Sequence, residues 1–370
     1  MANEPPVEGL EMTLFKDTYR GRRVLITGHT GFKGSWLAFW LQELGASVTG
    51  VALHPATSPN HWDLLDIGIA DHRFDIREST SLVRLFADSR PEIVFHLAAQ
   101  SLVRRSYQNP LETWSTNVMG TANLLEACRQ TDGIRAVVIV TTDKVYENKE
   151  WKWGYREIDP LGGHDPYSAS KAATELLVSS FRNAFFHAAN APLLASARAG
   201  NVIGGGDWAE DRLIADVVRA ITNHSPLGVR SPLATRPWQH VLECLSGYLL
   251  LGQFLLDGRR EYADAWNFGP GPDDNRTVNE VLNIFKTHWP KLTWHAAAGP
   301  QSRETNLLYL DSAKARASLG WRPVWTLQEA VTTTARWYQA YLEQGYIESR
   351  AQLTQYIEAA CKAGLHWCSK

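Results

Sequence analysis

The chain has 370 residues, of which 44% are hydrophobic and 21% charged, and its formal net charge is -2. These values are ordinary for a globular protein, and the small charge without a long Lys/Arg run predicts no nucleic-acid partner. Because no stretch is long and apolar enough to span a bilayer and the N-terminus lacks an apolar signal core, the sequence predicts a cytoplasmic protein with no membrane partner.

From Arg23 onward, short apolar runs alternate with longer amphipathic runs. Strands made of continuous apolar residues that alternate with helices are typical of a parallel sheet covered on both faces. The pattern therefore predicts an α/β fold with a doubly wound parallel sheet. The predicted strands are 23–28, 47–53, 92–99, 136–140 and 193–202, and the predicted helices are 35–45, 78–90, 116–130 and 168–186.

The first predicted strand runs into a glycine-rich segment, TGHTGFKG (27–34). A glycine pattern between a strand and a helix is the context of a dinucleotide site, and a glycine turn without a ligand is the less favoured alternative. Gly28 and Gly31 would let backbone N–H groups approach a pyrophosphate, and Gly34 would let the helix pack closely on the strand. The segment thus predicts a Rossmann-type fold.

After about residue 200 the pattern breaks into segments punctuated by Gly and Pro, which predicts a smaller mixed α/β C-terminal substrate lobe. Four cysteines far apart, without C-x-x-C spacing, predict reduced thiols and no metal site. The expected parts are an N-terminal extension (1–20), a dinucleotide-binding domain (21–200, with returning segments around 235–270), the discontinuous lobe (201–340) and a helical tail (341–370).

A second candidate site lies at a predicted helix start, where Asp165 is the N-cap and Pro166 the first helical residue. Four residues apart, Tyr167 and Lys171 share one helix face. An ammonium nearby favours the phenolate and moves the phenol pKa from ~10 towards neutrality, so Tyr167 could act as a base on a sugar hydroxyl. Such a pair alone is usually a surface pair, but the glycine loop and Thr142 favour the catalytic interpretation.

The glycine-rich segment, with its G-x-x-G-x-x-G spacing, and the segment with Tyr167 and Lys171 resemble those of the extended short-chain dehydrogenase/reductases. The resemblance covers roughly residues 22–330. The resemblance implies NAD as cofactor. NADP stays open, because His54 and Pro55 stand where an acid normally holds the ribose, and Lys33 could meet a 2′-phosphate. The implied cofactor-binding residues are Gly28, Thr30, Gly31, Phe32, Lys33, Gly34, Asp75, Ile76, Leu97, Ala98, Ala99, Asn117, Tyr167 and Lys171.

Three segments, GHTGFKGSW, TTDKVYENKEW and RPWQHVLE, resemble the branch of that family formed by nucleotide-sugar 4,6-dehydratases acting on CDP-glucose. The resemblance implies that Thr142 hydrogen-bonds the reacting hydroxyl, that Asp143 protonates the departing C6 hydroxyl and that a second group takes the C5 proton. Lys144 stands where most relatives have Glu. Its role stays open between the C5 base and an electrostatic stabiliser of the developing enolate.

The resemblance also implies a substrate site for CDP-glucose in the second lobe and a homodimer formed through helices around 101–130 and 168–186. Arginines there could hold the diphosphate by bidentate contacts. Two alternatives remain, a nucleotide-sugar 4-epimerase and a catalytically silent NAD(P)-binding protein. The pair Thr142-Asp143 favours a dehydratase, and an intact Tyr167 and Lys171 weigh against a silent protein. The implied substrate residues are Gln100, Asn201, Arg212, Leu213, Arg236, His240 and Arg303.

Overall fold

A computed structural model describes residues 13–271, 274–297 and 307–369. No helix in these parts of the chain is long and apolar enough to cross a membrane. The strands are β1 (Thr13–Leu14), β2 (Arg23–Thr27), β3 (Ser47–Ala52), β4 (Ala70–Arg73), β5 (Ile93–His96), β6 (Ala136–Val140), β7 (Leu193–Ala199), β8 (Val202–Ile203), β9 (Leu227–Val229), β10 (Thr235–Pro237), β11 (Gln239–His240), β12 (Ala265–Phe268), β13 (Asn275–Thr277), β14 (Trp294–Ala296) and β15 (Cys368–Ser369). The α-helices are α1 (Phe32–Glu43), α2 (His61–Leu65), α3 (Ser79–Ser89), α4 (Val103–Gln108), α5 (Pro110–Trp114), α6 (Gly120–Gln130), α7 (Pro166–Ala184), α8 (Leu213–Thr222), α9 (Val241–Leu256), α10 (Val278–His288), α11 (Leu327–Gln344) and α12 (Ser349–Lys362).

The centre of the fold is a parallel sheet, which has seven strands in the described residues, in the order β12-β7-β6-β5-β2-β3-β4. Successive residues of one strand enter cores on opposite faces, with Val138 in one hydrophobic cluster and Val137 in the other. Every residue of β6 is buried, as a strand covered on both faces requires. The predicted Rossmann-type α/β fold is confirmed.

The strand order reverses between β2 and β5, and in such sheets ligands bind beyond the carboxyl ends of the strands at this point. Thr27 joins the two strand ends. Its hydroxyl oxygen accepts hydrogen bonds from the backbone N–H groups of Leu97 (3.2 Å) and Ala98 (3.1 Å), and it lies 2.7 Å from Nδ1 of His96. These contacts fix the carboxyl ends of β2 and β5 relative to each other at the reversal point.

The second lobe is built from short strand pairs, β8 with β11, β9 with β14 and β10 with β13, together with α8 and α10. Between these segments the chain returns to the main sheet, where β12 pairs with β7 and the almost entirely buried α9 packs against β6 and β7. The boundary expected at residue 341 falls inside α11.

The two ends of the described chain pack together, because β1 pairs antiparallel with β15 and the ring of Phe15 stacks on that of Trp367 at 4.9 Å. The prediction of four reduced thiols was wrong for two of them. Cys361 and Cys368 form a disulfide, because the chain turns after α12 and brings their Cα atoms to 5.1 Å. The other two cysteines are buried and free.

Candidate active site

A cavity of about 1410 Å³ opens at the reversal point of the sheet and runs on between the two lobes. Sites for one small molecule usually occupy about 300–1,000 Å³, so this cavity has room for two ligands. Its lining includes the glycine-rich loop after β2 and residues 227–231 of the second lobe.

The glycine-rich loop fits a dinucleotide. Gly28 has a positive φ of 77°, and a Cβ there would lie 2.7 Å from the backbone nitrogen of Ala98. A Cβ on Gly34 would lie 2.0 Å from the carbonyl oxygen of Gly28, so neither position accepts a side chain. Gly31 is the N-cap of α1, whose N-terminus favours an anion such as a pyrophosphate. Thr30, Phe32 and Lys33 also line the cavity.

Most other residues implied for the cofactor lie on the same wall, namely Asp75, Ile76, Leu97, Ala98 and Ala99. Asn117 does not line it. Its side chain accepts from the backbone N–H of Gln100 (2.8 Å) and donates to the carbonyl oxygen of Gln100 and to Ser170 of α7. Asn117 therefore positions the loop after β5 against α7 and makes no direct contact with the cavity.

The chain leaves β6 through Thr142, which caps a short 3-10 helix over Asp143–Val145. The hydroxyl of Thr142 donates to Oδ1 of Asp143 at 3.0 Å, whereas Oδ2 of this buried carboxyl has no hydrogen-bond partner among the described residues. Burial raises the pKa of Asp143. A Cβ at Gly200 would lie 2.9 Å from Oδ2, so Gly200 makes room for this carboxyl. Nothing in the sequence around Gly200 pointed to this role.

Lys144 also lines the cavity, and burial lowers the pKa of its ammonium. The carboxyl of Asp143 opposes this shift, and the guanidinium groups of Arg236 and Arg212 act in the same direction as burial. A lowered pKa is the property that an amine needs in order to act as a base near neutral pH.

The helix that carries the Tyr-Lys pair begins as predicted, with Asp165 accepting from the N–H of Ser168 at 2.9 Å and Pro166 in the first turn. Tyr167 is buried, and burial raises its pKa to about 12, although its hydrogen bond with Thr142 acts in the opposite direction. Burial likewise lowers the pKa of Lys171 to about 8, and its ammonium donates to the carbonyl oxygen of Val140 at 3.2 Å. The expected lowering of the phenol pKa is therefore absent in the protein without ligands.

On the substrate side, Gln100, Asn201, Arg212, Leu213 and Arg236 line the cavity, and Arg303 lies outside the described residues.

The expectation that His240 contacts substrate is not met, because its fully buried ring lies behind the cavity wall, packed between Trp36 and Trp325. Its Nδ1 accepts from the N–H of Leu242 and caps α9, and burial lowers its pKa to about 3.

Behind the segment 142–144 lies a buried ion pair that sequence reasoning missed. Arg198 of β7 donates to Glu175 of α7 at 2.8 Å, and Thr141 and Ser196 donate to the same carboxylate. Burial alone would raise the pKa of Glu175, but the charge of Arg198 and these hydrogen bonds lower it overall. The pair fixes β6, β7 and α7 to one another directly beneath the candidate catalytic residues.

We expect Arg198→Met to lower the free energy of unfolding by about 3–5 kcal/mol, because it leaves the Glu175 carboxylate buried without its partner. Urea denaturation followed by circular dichroism measures this. Arg20→Met is the matched control, because Arg20 forms an exposed pair with Asp17 and its loss should change stability by no more than about 0.5 kcal/mol. Equal losses in the two variants would show that the buried pair is not a structural anchor.

Comparisons with known proteins show which family and which proteins this chain is similar to. A family model described as the NAD dependent epimerase/dehydratase family matches residues 24–263. The chain is 46% identical over 356 residues to a CDP-glucose 4,6-dehydratase of Salmonella typhimurium, covering 94% of this chain and 99% of that protein. It is 28% identical over 343 residues to a dTDP-glucose 4,6-dehydratase of Xanthomonas campestris, covering 85% and 92%. The solved structure of a Thermus thermophilus UDP-glucose 4-epimerase in complex with NAD matches with a TM-score of 0.75 and 26% identity, covering 85% of this chain and 98% of that one.

Proposed function

The chain belongs to the NAD-dependent epimerase/dehydratase family, and on that premise we propose that it converts CDP-glucose into CDP-4-dehydro-6-deoxyglucose by removing water. The observation that carries the proposal is the buried, hydrogen-bonded pair Thr142-Asp143 in the wall of the cavity, with Lys144 beside it. An epimerase has no need of an acid and a base beyond Tyr167, because it only removes and returns hydride at C4. The similarity to the Salmonella protein over 94% of the chain supports the same reaction and the same nucleotide.

The glycine-rich loop and the wall with Asp75 would hold NAD, which, when bound, takes the hydride from C4 and later delivers it to C6. In the proposed reaction, Tyr167 takes the proton of the C4 hydroxyl, and Thr142 orients that hydroxyl. A cation near the phenol favours its ionised form. Since burial holds the Tyr167 pKa at about 12 in the protein without ligands, formation of the phenolate would depend on positive charge that Lys171 supplies from the same helix face.

The two remaining groups eliminate water from the 4-keto sugar. Lys144, whose pKa is lowered, takes the proton from C5, and Asp143, whose pKa is raised, gives its proton to the hydroxyl that leaves C6. Lys144 returns its proton to C5 when C6 receives hydride, so that the net loss is one water. Opposite shifts in neighbouring groups are the pattern expected of an acid and base that must both act near neutral pH. The arginines Arg212 and Arg236 would hold the diphosphate.

Incubation of the purified protein with CDP-glucose and NAD tests the proposal by mass spectrometry. We expect a product lighter by one water with a 4-keto group. A stereoisomer of unchanged mass would instead indicate a 4-epimerase, and cofactor binding without turnover of CDP-, dTDP-, UDP- or GDP-glucose would indicate a silent binding protein.

We expect kcat/KM to fall as the pH rises through about 8, because the Lys171 ammonium loses its proton there and no longer favours the phenolate. The sign follows from a lowered pKa: the charged, active form exists below about 8 and disappears above it. A pH profile of kcat/KM measures the effect. In Lys171→Arg the residual activity should lack this fall, since a guanidinium keeps its charge. The same fall in that variant would assign it to another group.

The protein is also proposed to act as a homodimer in the cytoplasm. Apolar side chains stand exposed on α5 to α7 and the turn before α6, with Leu111 83%, Met119 56% and Leu176 62% accessible. Such a patch on neighbouring helices favours a contact with a second copy. Light scattering should give twice the chain mass of 41.4 kDa.

A further inference from the structure

We propose that Asp211 and Arg230 recognise the base of the substrate, with the carboxylate of Asp211 accepting from the N4 amino group of cytosine and the guanidinium of Arg230 donating to N3 and O2. This inference rests on the proposed function, because it concerns the nucleotide end of the same cavity.

Both residues lie where the nucleotide would end. The lining of the cavity includes Arg212 and Arg236 together with residues 227–231 of the second lobe. Asp211 directly precedes Arg212, and Arg230 directly follows β9. Each of the two lines the cavity, and the exposed fractions of their side chains, 33% and 27%, leave them accessible to a ligand.

The two groups are held side by side. Oδ1 of Asp211 lies 3.8 Å from Nη2 of Arg230 and 3.0 Å from Nη1 of Arg104, which belongs to α4 of the other lobe. Asp211 also has a positive φ of 59°, a left-handed conformation that Asp adopts more readily than most residues with a side chain. Because its guanidinium lies 3.0 Å from the Asp211 carboxylate, Arg104 acts as a positioning residue for that carboxylate.

An adjacent carboxylate and guanidinium present an acceptor followed by donors. The pairing edge of cytosine presents the complementary order, the N4 donor followed by the N3 and O2 acceptors. Uracil and thymine carry an acceptor at O4 and a donor at N3, so the same pair would oppose them at two positions. The pair thus selects a cytosine nucleotide against the other pyrimidines.

Binding of CDP and UDP to the full chain, measured by isothermal titration calorimetry, tests the assignment without requiring turnover. We expect the wild type to prefer CDP, and Asp211→Asn to reduce the CDP:UDP affinity ratio by about 10- to 100-fold, since the new amide can donate to O4 of uracil. Arg230→Lys keeps the positive charge but loses the paired N–H donors of the guanidinium, so it should also reduce the CDP:UDP affinity ratio. Asp216→Asn is the matched control, because Asp216 lines the same cavity but pairs with Arg219 of its own helix.

The assignment is overturned if the wild type shows no preference for CDP, if Asp211→Asn keeps the ratio within about twofold, or if Asp216→Asn lowers it equally. Turnover of CDP-glucose by the wild type separates the two proposals. Turnover with an unchanged ratio in Asp211→Asn contradicts only the recognition of the base. A shifted ratio without any turnover supports the recognition and contradicts the proposed reaction.

Discussion

Tyr167→Phe should reduce the turnover of CDP-glucose by about 10²- to 10⁴-fold, the range that positioned acid–base groups contribute. The substitution removes one oxygen, and the buried ring keeps its packing at the start of α7. Without the phenol, no group in the proposed scheme takes the proton of the C4 hydroxyl, so the hydride cannot leave C4. The measurement is the rate at which the 4-keto product forms.

Cofactor binding should survive this change, because the glycine-rich loop that would hold NAD lies in a different segment of the chain. Titration of NAD by calorimetry should therefore give a dissociation constant within a few-fold of the wild type. Tyr346→Phe is the control, since Tyr346 is exposed between α11 and α12, far along the chain from the site. Turnover at the wild-type rate in Tyr167→Phe would remove the phenolate from the mechanism.

The parts of this structure that follow local rules were predictable from the sequence. The bounds of β6 match the predicted 136–140, because a short run of apolar residues flanked by polar ones has few alternatives as a buried strand. The start of α7 followed from Asp165 and Pro166, whose capping chemistry is contained within four residues. The glycine-rich loop was recognisable because its glycines stand at positions where a side chain would collide with nearby backbone atoms.

The parts that depend on distant contacts were not predictable. The predicted helix 116–130 is preceded by α5 and begins with a π-helical turn over Ser115–Met119, in which Asn117 turns inward to hold the loop after β5. The pairing of Arg198 with Glu175 joins positions on different elements and has no local signature. The Tyr167 pKa also depends on burial, which raises it and outweighs the lowering by the Thr142 hydrogen bond and the Arg212 charge. The sequence pattern indicated the Tyr167-Lys171 pair, whereas burial sets the direction in which the pKa of each of the two groups is shifted.

Asp143→Asn should separate the first half of the proposed reaction from the second. Oxidation at C4 requires Tyr167 and Thr142 and should continue, whereas loss of water should slow by about 10²- to 10⁴-fold because the amide cannot protonate the departing hydroxyl. The substituted side chain is isosteric, and its oxygen can still accept from Thr142 as Asp143 does at 3.0 Å. Reduced cofactor should therefore accumulate after substrate is added, and its absorbance measures the effect.

Lys144→Met tests whether Lys144 is the C5 base of the proposed reaction or only an electrostatic stabiliser of the enolate. In D₂O, Asp143→Asn retains the base, so substrate recovered from that variant should carry deuterium at C5. If Lys144 is the base, Lys144→Met should accumulate reduced cofactor without deuterium at C5; if it only stabilises the enolate, exchange should continue at a reduced rate. The lowered pKa of the Lys144 ammonium favours the first outcome, because burial disfavours the charged form relative to the neutral amine that can take a proton. A failure of Asp143→Asn to accumulate reduced cofactor would contradict the acid role of Asp143, whichever way Lys144 acts.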